Sequence, residues 1–308
     1  MTKPTVSVLM AAYNAQDTIA LAVRSALEQT DHLLEVIVVD DASTDATCEI
    51  LAAIQDPRLR VLRQKVRQGP GVARNRAMGL AAGQWFAILD ADDAFHPQRL
   101  ERIFAAHTHA DERTVLGDRW LYCRSRGPAL VPWRATAPLP PCMDLNLFLA
   151  RKPFLTKPIL PASVRTVGLF YPAYFSWEDA VFMSRVLARG YRLLLHQEPL
   201  YLYRLRWGSL SHDLHWACTT QEVFTALMEE LKPALDDQGK KEIEAILHKA
   251  QRELRYHPVL KTLRQKRYGA LPRLLLSDRF YRHEFLRRLW PSVLKNLSVL
   301  RFPGTTGR

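Results

Sequence analysis

Trp85-Phe86-Ala87-Ile88-Leu89 is an apolar run that leads straight into three carboxylates, Asp90, Asp92 and Asp93. Glu35-Val36-Ile37-Val38-Val39 ends the same way, in Asp40-Asp41. Carboxylate oxygens are the ligands that hard divalent cations such as Mg2+ and Mn2+ prefer. A cation bridging two phosphates offsets the negative charge that grows on a diphosphate leaving group. Two apolar segments that deliver acids to one place therefore predict a metal–phosphate or nucleotide site.

The elements that must position these acids are readable nearby. Short, nearly continuous apolar runs bounded by polar residues fit buried strands of a parallel sheet. Val6 to Ala12 is a first such strand, and Tyr13-Asn14-Ala15-Gln16-Asp17 turns the chain. Residues 18–29 have helical spacing through Ile19, Val23 and Leu27. Ser43-Thr44-Asp45 offers capping side chains to a helix reaching Ile54. Arg60 to Arg63 is a short strand, Gly69-Pro70-Gly71 a tight turn, and residues 72–82 a helix of small side chains that Gly83 stops. The order β-α-β-α-β-α-β over about ninety residues predicts an α/β fold with a doubly wound, mostly parallel sheet. Ligands in such sheets bind beyond the carboxyl ends of the strands, where the acids stand.

Beyond Leu100 the pattern loosens. Residues 127–161 are Pro-rich and resist regular assignment, which predicts a long functional loop with short elements. A helix is expected over 177–189, strands at 192–195 and 199–204, and helices beyond Trp216 broken at Pro258, Pro272 and Pro291.

Composition narrows the class. With 48% hydrophobic and 24% charged residues, the 308-residue chain is an ordinary globular protein able to bury a full core. No apolar run approaches the roughly 18 residues of a membrane-spanning helix. Met1-Thr2-Lys3-Pro4 leads directly into strand-like sequence, so no leader is expected. Cys48, Cys123, Cys142 and Cys218 are far apart and lack a Cys-x-x-Cys or His pairing, which argues against a zinc site or disulfide frame and for free thiols in a cytoplasmic protein. Residues 251–308 hold 14 Lys+Arg against 3 Asp+Glu, nearly all of the net charge of +12. The basic character belongs to a C-terminal module, separate from the body that carries the acids.

Four ordered motifs together resemble the family 2 glycosyltransferases. They are Val6 to Asn14, Val39-Asp40-Asp41-Ala42-Ser43-Thr44-Asp45, Gly69 through Ala73-Arg74-Asn75, and Leu89-Asp90-Ala91-Asp92-Asp93 with Pro97, followed by Trp177-Glu178-Asp179. The resemblance covers roughly residues 5–215. It implies the GT-A fold over 1–215, with a nucleotide-binding half at 1–100 and an acceptor half at 101–215, and leaves 216–308 as a helical basic extension. It implies a metal-dependent, inverting hexosyl transfer from a nucleotide sugar, a UDP-sugar, to a saccharide or lipid-linked saccharide in cell-surface polysaccharide assembly. Mn2+ or Mg2+ would be held by Asp92, with Asp90 nearer the ribose and Asp93 either assisting the metal or capping the turn. Asp41 would accept a hydrogen bond from the base, for which the N3–H of uracil is a chemically sensible donor. Ala11, Tyr13 and Asn14 would line base and ribose, and Arg74 would supply fixed positive charge near the nucleotide.

Asp179 is the expected catalytic base, since inverting transfer needs one carboxylate to take the acceptor's proton while the nucleotide leaves from the opposite face. Trp177 beside it would exclude water, and Glu178 would position the acceptor or pair with an arginine. There are departures. Arg67 stands where the family often has Asn. Arg206-Trp207 matches part of the Gln-x-x-Arg-Trp motif of processive synthases, but Tyr203 occupies the Gln position, so one sugar per acceptor is expected. Ser209, Ser211 and His212 follow; His212 is either a third metal ligand or a surface histidine.

The basic tail alternates Arg and Lys with Leu, Phe, Tyr and Trp. Leu274, Tyr281, Phe285 and Leu289 share one helical face among Arg273, Arg282, Arg287 and Arg288. Such a segment suits an anionic lipid surface, which predicts peripheral contact through 252–302 on the cytosolic face of the inner membrane; docking on the catalytic domain is the competing reading. No nucleic-acid motif is present, so no nucleic-acid partner is expected. Two other functions compete with the enzyme. A catalytically silent scaffold would bind the nucleotide sugar with the same residues. A phospho-receiver module would use Asp40, Asp41, Asp90 and Lys157, but would place its acid pair after the first strand.

Overall fold

The computed structural model describes residues 3–126, 129–151, 157–166, 168, 177–205 and 214–264. Its first half follows the strand–helix alternation read from the sequence. Strands β1 (Val6–Ala12), β2 (Leu33–Asp40), β3 (Leu59–Arg63) and β4 (Trp85–Ile88) are separated by helices α1 (Ile19–Leu27), α2 (Thr47–Ala52) and α3 (Pro70–Leu80). These strands lie in the order β3-β2-β1-β4, all parallel. The chain steps from β1 to β2 and β3 on one side, then crosses to β4 on the other. The crevice between β1 and β4 is therefore a topological switch point, where α/β sheets bind ligands.

Alternation along each strand divides the core into two layers. Val8, Met10, Val36, Val38, Trp85 and Ala87 face one layer with Ile19, Val23 and Leu51 of α1 and α2. Leu9, Ile37, Val39, Phe86 and Ile88 face the other with Ala73, Ala77 and Met78 of α3. The small residues of α3 let it lie close against the sheet.

The second half adds β5 (Ala94–Phe95), α4 (Arg99–Ala106), β6 (Thr114–Arg126), β7 (Ala129–Ala135), β8 (Cys142–Met143), α5 (Leu145–Arg151), β9 (Ile159–Pro161), α6 (Ser163–Thr166), α7 (Glu178–Ala188) and β10 (Arg192–Leu205). The sheet continues β4-β9-β6-β10-β5. β9 enters antiparallel to both neighbours, while β6 and β10 form a second parallel pair. Helix α8 (Leu214–Leu231), a 3-10 turn (Lys232–Ala234) and α9 (Asp237–Arg264) complete the described chain. Val223, Phe224, Leu227, Leu231, Ile243 and Ile246 join the same buried cluster as Leu9 and Phe182. Among the described residues no helix is long and apolar enough to cross a membrane.

Within residues 127–161 the short elements expected in that loop are β7, β8, α5 and β9. Several local expectations need correction. The two strands expected at 192–204 are one, β10, whose pairing with β6 shifts register around His196, Pro199 and Tyr201; proline has no N–H to donate, so a bulge absorbs it. Ser43 does not cap α2, because its hydroxyl binds Asp40 while Asp45 Oδ1 accepts the Thr47 N–H at 3.0 Å. Gly83 lies beyond the end of α3 and serves a close approach: a Cβ there would stand 2.6 Å from the Ser7 backbone nitrogen. Helix α9 runs through Pro258, which removes one backbone bond without ending the helix, and the break between helices comes instead at Lys232–Ala234, around Pro233.

Candidate active site

Every predicted site residue within the described chain lies at the carboxyl edge of the strands or on helices α3 and α7 facing it. At the outer end, β1 and β2 pass into turns with left-handed residues, Asn14 at φ 47° and Ala42 at φ 61°. Asn14 binds the two turns together: its Oδ1 accepts the Thr44 N–H at 2.9 Å, and its own N–H donates to Ser43 Oγ at 3.0 Å. Asp41 organises the next loop, accepting from Gln64 Nε2 at 2.8 Å, Gln68 N–H at 2.7 Å and Gly69 N–H at 2.8 Å. The loop held in this way carries Arg67, whose guanidinium stacks 4.0 Å above the Tyr13 ring. Tyr13 is 38% exposed, so an aromatic face capped by a cation borders the crevice. Ala11, half-buried, lies on β1 behind it.

At the inner end, the turn after β4 brings Asp90, Asp92 and Asp93 together, with carboxylate oxygens all within 4.8 Å. The three have different environments. Asp93 is buried, and its oxygens accept from Tyr201 Oη and the Arg204 N–H, both at 2.8 Å. Burial, with Asp92 and Asp90 nearby, pushes its pKa well above the ordinary value. Tyr201 Oη also accepts the Asp90 N–H at 3.2 Å, and Arg204 Nε donates to the Asp92 carbonyl at 2.7 Å. Strand β10 thus clasps the acidic turn. Asp92 remains half-buried at the edge of the clasp.

Asp90 belongs to a closed ring of charges. Its Oδ1 receives Arg74 Nη2 at 2.7 Å and its Oδ2 receives Lys157 Nζ at 2.7 Å. Asp179 completes the ring, with Oδ1 on Arg74 Nη1 at 2.9 Å and Oδ2 on Lys157 Nζ. Burial opposes the charge on Asp90, but Lys157 and Arg74 outweigh it and hold its pKa down at about 2. Burial likewise opposes the Lys157 ammonium, and the carboxylates of Asp179 and Asp90 keep its pKa well above the ordinary value. Glu178 accepts Arg74 Nη1 at 3.1 Å, and burial beside Asp179 raises its pKa. Both acids open α7, where the helix dipole favours negative charge. They follow Trp177 in the left-handed conformation, φ 68°, which costs an aromatic residue about 1–3 kcal/mol. The indole is anchored by Nε1 donating to Thr220 Oγ1 at 2.7 Å and by an edge-on contact with Phe224, ring centroids 5.0 Å apart.

The family model of glycosyl transferase family 2 matches residues 7–171, more than half of the chain and all of the acidic strand ends. The chain belongs to glycosyl transferase family 2. Among curated relatives, the succinoglycan biosynthesis protein ExoO of Rhizobium meliloti (strain 1021) is 36% identical over 221 residues, 68% of this chain and 64% of that protein. The Escherichia coli UDP-Glc:alpha-D-GlcNAc-diphosphoundecaprenol beta-1,3-glucosyltransferase WfaP is 37% identical over 113 residues, 34% of this chain and 45% of that protein. These matches thus span about half to two thirds of the relatives' length. A crystal structure of S. aureus TarS residues 1–349 in complex with UDP-GlcNAc superposes with a TM-score of 0.59 at 22% identity, covering 81% of this chain and 72% of that one. The fold of this family 2 glycosyltransferase is the GT-A fold expected from its motifs.

In this glycosyltransferase the predicted residues fall into two groups. Asp90, Arg74, Glu178 and Asp179 meet in one network beside Asp92 and Asp93. Ala11, Tyr13, Asn14 and Asp41 occupy the outer end of the crevice. His212, Ser209, Ser211, Arg206 and Trp207 lie outside the described residues, as does the tail from residue 265. Sequence reasoning missed Tyr201 and Arg204 as site residues and named Lys157 only for the phospho-receiver reading. Tyr201 and Arg204 carried only a strand signal. The register of β9 on β4, which pairs Ala87 with Ile159, sets Lys157 beside the turn, and no local motif announces it.

A divalent cation is implied by the family, and the donor set fits one: hard carboxylate oxygens grouped in a half-buried turn. Asp92, half-buried at the edge of the clasp, would hold it, with Asp93 braced by β10 and Asp90 set between Arg74 and Lys157.

Proposed function

We propose that this chain is an inverting, non-processive glycosyltransferase that moves one sugar from a UDP-sugar to a saccharide or lipid-linked saccharide in cell-surface polysaccharide biosynthesis. The observation that carries the reading is the meeting of Asp179 with Asp90 and Asp92 at the switch point of the sheet. Donor and acceptor ends of a transfer site are thereby held in one rigid frame. The names of the relatives support the chemistry: one is a succinoglycan biosynthesis protein, and another uses UDP-Glc and a diphosphoundecaprenol-linked acceptor. The UDP-GlcNAc complex of TarS supports a UDP-sugar as donor.

In this reading residues 1–100 bind the nucleotide, with Tyr13 and Arg67 flanking the base and Asp41 holding the loop beneath it. Asp90 faces the ribose and sugar. Asp92 would hold Mn2+ or Mg2+, which would supply positive charge to offset that of the diphosphate leaving group. Asp179 takes the acceptor hydroxyl proton, Glu178 steers the acceptor, and Arg74 keeps both carboxylates in place. Trp177 shields the base from water. Asp93 braces the turn against β10. Residues 101–215 form the acceptor half. The basic segment 252–302 holds the enzyme to the cytosolic face of the inner membrane through anionic lipid, where a lipid-linked acceptor is found. Liposome partitioning unchanged by deletion of 270–308 would remove that last assignment.

The test is a thermal-shift screen with UDP, GDP, dTDP and CMP, each with Mn2+ and with chelator. A metal-dependent rise with UDP, absent in Asp92→Ala, is expected. UDP binding without sugar release from any UDP-sugar would instead leave a silent scaffold.

A further inference from the structure

A lysine deep in a protein is costly, since its ammonium loses hydration that only close carboxylates replace. The Lys157 side chain is 5% exposed. Its backbone is held as firmly as its charge. Arg99, fully buried, donates Nη2 to the Lys157 carbonyl at 2.9 Å while gripping Asp118 Oδ1 through Nη2 at 2.7 Å and Nε at 3.1 Å. Asp118 Oδ2 accepts the Leu200 N–H of β10 at 3.2 Å. The next carbonyl, of Pro158, accepts the Ile88 N–H of β4 at 3.0 Å. Lys157 therefore stands on a buried ion pair and two strands, and reaches Asp179 on α7 and Asp90 after β4.

Each of those carboxylates has one oxygen on Arg74 and the other on Lys157. Arg74 is shared with Glu178 and holds Asp179 only through Oδ1. Without Lys157, the Asp179 carboxylate is free to turn about that single contact. Misplacement of a reacting group by about 1 Å costs about 10²-fold in rate.

We infer that Lys157 is a positioning residue for the transfer, locking the Asp179 carboxylate in register with Asp90 so that the base meets the acceptor at the donor end of the crevice. This rests on the transferase reading above, and it assigns Lys157 no contact with substrate.

The experiment compares the full chain with Lys157→Met and Lys157→Arg, using UDP-GlcNAc and UDP-glucose as donors, water as the acceptor, and UDP binding as a second readout. Lys157→Met keeps most of the side-chain length and removes the charge. Its kcat is expected to fall about 10–100-fold, with donor KM and UDP affinity within about threefold of the unaltered chain. Lys157→Arg restores the charge in a different place and is expected to recover part of kcat. A Lys157→Met kcat within twofold of the unaltered chain, or a loss confined to KM, overturns the inference while the transferase reading stands. Should Lys157→Met fail to fold, Lys157→Arg decides alone: full kcat overturns the inference, and a partial loss with UDP binding retained supports it. If the unaltered chain neither binds UDP nor releases sugar, the transferase reading falls and this one with it.

Discussion

The three acids of the turn after β4 are adjacent in sequence and differ in what surrounds them. Asp93 accepts from Tyr201 and the Arg204 backbone, Asp90 sits between two cations, and Asp92, half-buried at the edge of the turn, is the acid proposed to hold the metal. Substitution should separate these roles. Asp93→Ala leaves a buried N–H and a hydroxyl without their acceptor and is expected to lower stability by about 1–3 kcal/mol, read by chemical denaturation. Asp92→Ala is expected to abolish the metal-dependent UDP shift. Asp179→Asn keeps the shape of the side chain and removes the proton acceptor; sugar release should fall about 10²–10⁴-fold with UDP binding retained. Full activity in that variant would refute the base assignment.

At the scale of elements, the end of the sheet opposite the site is tied together by one buried acid. Glu35 on β2 accepts from Ser7 Oγ of β1 at 2.7 Å, the Ala82 N–H before β4 at 2.8 Å, and Arg60 Nη1 of β3 at 3.0 Å. Burial works against the carboxylate, but the Ala82, Ser7 and Arg60 donors outweigh it and lower its pKa below the ordinary 4.5. The folded state thus favours the ionised form. The stability this contributes is complete above pH 4.5, begins to fall as pH drops through that value, and is gone below the lowered folded pKa. Glu35→Gln is expected to cost about 1–3 kcal/mol at pH 7. The gap between the two proteins should close as denaturation is repeated at lower pH. A gap independent of pH would show that the lost acceptor oxygen, not the charge, accounts for the difference.

The whole molecule carries the proposed catalytic acids on a support that comes from elsewhere in the chain. Trp177, strained in the left-handed region just before Glu178 and Asp179, is held by Thr220 and Phe224 of α8. Phe224 also belongs to the buried cluster that joins α5, α7, α8 and α9 to the sheet. Phe224→Ala should therefore act twice. Loss of the buried ring is expected to cost about 3–5 kcal/mol. Release of the indole should also lower kcat at a temperature where the variant is still folded, measured by sugar release beside circular dichroism. Unchanged kcat in a folded variant would show that α7 does not depend on α8 for its geometry.

The parallel first half of the sheet and the acidic strand ends were legible because their causes are local. The continuous apolar run Val36-Ile37-Val38-Val39, apolar spacing in α1 and carboxylates after β2 and β4 are all properties of a few consecutive residues. The motifs around Asp41, Asp92 and Asp179 were readable for the same reason, and so was membership in the family. What the tertiary structure alone decided are the partners. β8 and β9 are too short to carry a period, and β10 reads as two strands because Pro199 interrupts its ladder. Lys157 became a site residue through the antiparallel register of β9 on β4, about seventy residues earlier in the chain. Tyr201 and Arg204 reached Asp93 across more than a hundred residues. A side chain's type and its neighbours in sequence state which chemistry it can perform. Which charge it faces is set by strand order and register, and these are products of the whole core.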